Sequence, residues 1–193
     1  METNKLNVKD MINVGIFAAI LAVLKIVSGF IGVVPIICVI LPAITAIISG
    51  PVYALFFSKV SKFGMITILT TILGIIYCVV GYGWQTLVGS FIIGLLADLA
   101  TKAGGYNSKK FFVMGYCVFS LWPITTYIMI WMSGDAYFEE LAKSMGQEFA
   151  DGFQKLLPLW SVFPVIRLTL IAGCIGAFIG TKMMKKHFER IGA

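Results

Sequence analysis

Residues 51–110 read PVYALFFSKVSKFGMITILTTILGIIYCVVGYGWQTLVGSFIIGLLADLATKAGGYNSKK. A basic pair, Lys59 and Lys62, is followed by an apolar run to Val80 and an uncharged turn, Gly81-Tyr82-Gly83-Trp84. A second apolar run then leads to a basic cluster, Lys102, Lys109 and Lys110. The chain therefore leaves a positively charged face, crosses an apolar medium, turns without charge and returns. The same alternation holds outward in both directions. Apolar stretches lie at 11–30, 35–57, 64–80, 84–100, 111–132 and 159–181, each approaching or exceeding the roughly 17–25 residues a helix needs to span a bilayer core. The ends carry Lys5 and Lys9, and Lys182, Lys185, Lys186 and Arg190, while the connection after 132 is acidic. Because cytoplasmic loops are enriched in Lys and Arg, both termini and every basic loop are expected in the cytoplasm. The expected fold is an all-α integral membrane protein of six transmembrane helices, forming one domain over 1–193.

Composition narrows the class further. Hydrophobic residues make up 59% of the chain and charged residues 12%, against about a quarter charged in soluble domains. A net charge of +6 would suggest nucleic acid in a soluble protein. Here the charges flank apolar segments, so the lipid bilayer, with its anionic inner leaflet, is the expected partner and nucleic acid is not. The apolar run from Met11 outlasts the roughly 7–15 residues of a signal-peptide core and is read as the first crossing. Cys38, Cys78, Cys117 and Cys174 fall singly in apolar segments, and His187 stands alone in the basic tail. No metal site is expected from them.

Along the chain, crossing 1 begins after Asp10, whose carboxylate suits a helix N-terminus. Gly15, Ala18, Ala19 and Ala22 share one sector of it, and small residues four apart allow another helix to approach closely. That helix can belong to this bundle or to a partner. Pro35, Pro42 and Pro51 predict a bent or broken second crossing, and Trp122-Pro123 predicts a kink in the fifth. Asp98 is expected to pair with Lys102, four residues on. Between 135 and 155, Phe138, Leu141, Met145, Phe149 and Phe153 recur at helical spacing among acidic residues. This predicts an amphipathic outer segment, either flat on the interface or closing over an outward cavity.

Two cations fall inside spanning segments. Lys25 lies about 21 Å along its helix from Met11, and Arg167 about 10 Å past Trp160, at 1.5 Å per residue. A charge within a spanning helix marks a functional site unless its long stem carries the head to the interface. In an outward-facing pocket the two would meet an anionic or strongly polar ligand, with Tyr82, Trp84, Gln85, Tyr127 and Trp131 at similar depth. Chemistry is otherwise sparse. No G-x-x-x-x-G-K-[ST], H-E-x-x-H or G-x-S-x-G occurs, so neither a P-loop ATPase nor a familiar hydrolase is indicated. No catalytic residue is expected.

The segments LPAITAIISGPVYALFFSKVSKFG (41–64), GYGW (81–84), GLLADL (94–99), GGYNSKK (104–110), GYCVFSLWPI (115–124), SMGQEFAD (144–151) and KKHFERIGA (185–193) carry a resemblance over essentially the whole chain. It resembles the Trep_Strep or MptD-like group of S components of energy-coupling factor (ECF) transporters. The resemblance implies a multi-pass protein of the bacterial plasma membrane that captures a small micronutrient from outside. It implies delivery inward with a T component and two cytoplasmic ATPases, which hydrolyse ATP, and so no cofactor in this chain. It also implies that the small-residue stripe of helix 1, with Ala18-x-x-x-Ala22 matching the family's A-x-x-x-A pattern, contacts the T component. An independent secondary transporter or channel-like protein, or a ligand-free assembly subunit, are the rival expectations.

Overall fold

The computed structural model describes residues 7–106 and 108–191, with side chains through Met184. Lys5, Asn107 and the side chains of Lys185, Lys186, His187 and Arg190 lie outside the described residues. The elements are α1 (Val8–Gly29), α2 (Pro35–Lys59), α3 (Met65–Tyr77), α4 (Gly83–Lys102), α5 (Lys109–Phe119), α6 (Thr125–Ser133), α7 (Asp135–Met145), α8 (Gln147–Leu156) and α9 (Val162–Ile191). Short turns of tighter or wider helix join α3 to α4, α5 to α6 and α8 to α9. No strand occurs among the described residues.

Among the described residues, five helical stretches are long and apolar enough to cross a membrane: Val8–Gly29, Pro35–Lys59, Met65–Lys102, Lys109–Ser133 and Leu159–Met184. The third combines the runs at 64–80 and 84–100 and reverses within itself. Gly81 (φ 114°) and Gly83 (φ 74°) take backbone conformations that only glycine adopts freely, and α4 returns antiparallel along α3. The two arms touch at glycines: a Cβ on Gly74 would strike Ser90, and one on Gly94 would strike Thr70.

A second close helix crossing joins α2 and α9. A Cβ on Gly50 would fall onto the backbone of Gly176, one on Gly176 onto the Ala46 carbonyl, and one on Gly180 onto the Gly50 carbonyl. Such small-residue seams replace the hydrophobic drive that lipid removes. Beside the seam, the Tyr53 ring lies 4.6 Å from Phe119 and 4.8 Å from Tyr116, and the Tyr116 hydroxyl donates to the Ala46 carbonyl. Pro42 and Pro51 stay inside a continuous α2. Pro42 has no N–H for the carbonyl four residues back, that of Cys38, and the Tyr127 hydroxyl donates there instead. The expected kink at Trp122-Pro123 is a short 3-10 turn dividing α5 from α6. The four cysteines are free thiols, with Cys117 and Cys174 sulfurs 3.1 Å apart.

At the basic end, Asn7 and Asp10 form a reciprocal cap on α1, and Asp10 also pairs with Lys62 at 2.7 Å. Asp98 does not pair with Lys102. Its Oδ2 accepts the Thr67 N–H at 2.8 Å and the Thr67 hydroxyl at 2.6 Å, so it caps α3 from across the hairpin. The α3 N-cap is Gly64, which has no side chain to do so, and the positive end of the helix favours a carboxylate. Lys102 turns instead over the Phe63 ring, 4.5 Å from its centroid.

The outer segment expected as one helix over 135–155 is two, hinged at Gly146 (φ 92°). Phe138, Phe153 and Leu157 are buried in one cluster with Tyr127 and Ile130, and a Cβ on Gly152 would meet Pro35. The α7–α8 hairpin therefore packs over the ends of α2 and α6.

Candidate functional site

Lys25 is only 7% exposed, so its stem does not carry the head to an interface. Its Nζ lies 4.5 Å from the Tyr77 ring centroid, 4.7 Å from that of Trp122 and 5.7 Å from that of Tyr82. It donates to the Pro123 carbonyl and to Thr126 Oγ1, both at 3.3 Å. Three aromatic walls and two oxygens thus receive one ammonium. Each desolvated cation–π contact stabilises by up to about 2 kcal/mol, which offsets part of a burial cost of about several kcal/mol. An ammonium has three donors, and the third meets no oxygen among the described residues. No carboxylate among the described residues forms an ion pair with Lys25.

Helix geometry builds this cage from α1, α3, α6 and the turns that join α3 to α4 and α5 to α6. Lys25 on α1, Tyr77 on α3 and Trp122 after α5 lie about 21, 18 and 20 Å along their segments from Met11, Met65 and Lys109. The Tyr77 hydroxyl donates to the Ala22 carbonyl at 3.0 Å, which fixes α3 against the α1 turn bearing Lys25. The Tyr77 and Tyr82 rings meet edge to face, with centroids 5.7 Å apart. Beyond Tyr82, Tyr127, Tyr137 and Cys38 pack in the cluster where the α7–α8 hairpin meets α2 and α6.

The residues read from sequence divide between this site and the surface. Lys25 and Tyr82 come together. Tyr127 is buried under the hairpin, 6.2 Å ring to ring from Trp131. Trp131 Nε1 and Gln85 Oε1 are buried polar atoms without a protein partner. Trp84 is 63% exposed and stands outside the cage, as an interfacial aromatic does. Arg167 is exposed on α9 and does not join Lys25, because the face of α9 that enters the bundle carries Val165, Thr169 and Ala172. Tyr77 and Thr126 were not read from sequence, and Trp122-Pro123 was read only as a kink. Their common depth with Lys25 was the available signal.

The small residues of α1 also divide. Ala18 and Ala22 are buried in this protein's own core with Val14, Phe17 and Leu21, so the Ala18/Ala22 edge does not face outward as expected. Lys25 lies seven residues after Ala18, nearly on the same face, and burying the ammonium turns that whole face inward. Gly15 and Ala19 are exposed, with open space beside Gly15.

Apolar helices of spanning length, glycine seams between them and a buried cation define a multi-pass integral membrane protein. The chain belongs to the Trep_Strep family of hypothetical bacterial integral membrane proteins, whose family model matches residues 8–190. No curated protein and no solved structure matches it.

Proposed function

We propose that this protein is the substrate-binding S subunit of an ECF-type importer. In this reading it captures a small micronutrient from outside and delivers it with a T component and two ATPases. The observation that carries the reading is Lys25: a buried ammonium with aromatic walls, one oxygen-free donor and no carboxylate suits an anionic or strongly polar ligand with a flat face. The alternation of basic and uncharged connections supports six crossings, the hairpin α3–α4 supplying two, with both termini cytoplasmic. On that orientation the cage lies in the outer half and the α7–α8 hairpin is its lid. The exposed Gly15/Ala19 edge of α1 is the surface offered to the T component.

The test is mass spectrometry of small molecules retained by the gently purified protein. A ligand bound by the wild type and lost from Lys25→Met supports the reading. Energised uptake by this chain alone, in proteoliposomes lacking ATPases, overturns it.

A further inference from the structure

At the basic end, far from Lys25, a second cavity of about 750 Å³ opens between α2, α5 and α9. Its walls are apolar, with Ala54, Phe57, Phe112 and Phe178 among them, and its rim carries Lys109 and Lys182. None of the described lining residues is acidic. Phe178 is 67% exposed, so the groove is open along the lipid-facing side of α9. Lys109 is the first residue of α5, whose N-cap Ser108 makes no side-chain cap bond. Among the described residues, no side chain caps the first-turn N–H groups of that helix, which lie beside the two ammonium groups.

We infer that this groove binds one anionic phospholipid of the inner leaflet, its phosphate between Lys109 and Lys182 and its acyl chain along Phe57, Phe112 and Phe178. Charge selects the occupant. A zwitterionic lipid fills the apolar walls equally well, but its own ammonium offsets its phosphate beside two lysines and a helix N-terminus. An anionic headgroup meets all three favourably, and each basic residue near the membrane surface contributes to holding it. Placing the groove in the inner leaflet rests on the positive-inside orientation. It does not depend on any ligand at Lys25, and the site is distinct from that cage.

The full chain, delipidated and then equilibrated with mixed phosphatidylglycerol and phosphatidylcholine, is read by native mass spectrometry. The wild type retains phosphatidylglycerol about tenfold over phosphatidylcholine, and Lys109→Gln with Lys182→Gln brings the ratio close to unity. Lys143→Gln with Lys155→Gln, on the α7–α8 hairpin, leaves it unchanged, as does Lys25→Met. No headgroup preference in the wild type, or a preference that survives the Lys109/Lys182 pair, overturns the assignment. Should that pair fail to fold, salt decides on the wild type. A headgroup held by charge loses its advantage between about 0.1 M and about 0.5 M NaCl, and a preference insensitive to salt overturns the proposal.

Discussion

The Tyr127 hydroxyl donates to the Cys38 carbonyl, the acceptor that Pro42 leaves without its intrahelical donor. One hydrogen bond across 89 residues thus repairs α2 and at the same time anchors α6 beneath the α7–α8 hairpin. In lipid there is no water to serve that carbonyl, so the two residues are coupled.

Tyr127→Phe should destabilise the protein in detergent by about 1 kcal/mol, within the range of side-chain hydrogen bonds inside membrane proteins. Pro42→Ala returns an N–H to α2, and in that background Tyr127→Phe should cost markedly less. A double-mutant cycle of unfolding free energies measures the coupling, and additive costs would show that the bond carries no stability.

Lys25→Met keeps the stem and removes the charge. Replacing a buried ion by an apolar side chain of similar size is often neutral or stabilising, so the folded protein should survive with a melting temperature at or above that of the wild type. The fluorescence of Trp122, whose ring lies 4.7 Å from the ammonium, should change with it. Lys25→Ala leaves an unfilled space among the rings and should cost about 2–4 kcal/mol. A Met variant as unstable as the Ala variant would make the ammonium a structural pin.

Gly176→Leu would drive its side chain into the Ala46 carbonyl, and about 3 kcal/mol or more of destabilisation is expected from such overpacking. Gly15→Leu meets open space and should leave thermal stability and ligand retention intact. On the proposed function it blocks co-purification with the T component. Ala18→Leu should instead disrupt the bundle itself, because Ala18 is buried.

Asp98→Asn keeps the shape of the α3 cap and removes its charge. A loss of about 1–2 kcal/mol is expected from weakening bonds to the Thr67 amide and hydroxyl. Lys102→Ala should stay within about 0.5 kcal/mol. Equal effects from the two would reinstate the local ion pair between them.

The apolar runs and their flanking lysines were legible because two demands act locally on a spanning segment. It must be long enough for the bilayer, and its charges must fall outside. Lys25 was legible for the same reason, as a charge where lipid makes charge expensive. The cap on α3 was not, since the N-cap is a glycine and the carboxylate comes from Asp98, 31 residues beyond the Thr67 it bonds. Nor was the break at Gly146, where the amphipathic spacing continues on both sides of the hinge.

Sequence alone therefore settled that the chain crosses the membrane repeatedly, and which cations escape the charge pattern. The tertiary structure settled which way each helix faces. Lipid is as apolar as a protein interior, so the hydrophobic periodicity that orients a helix in water is muted in a bilayer. Ala18 with Ala22 and Gly15 with Ala19 are indistinguishable as spacings. Lys25 separates them, because its ammonium is held only where Tyr77, Tyr82 and Trp122 converge.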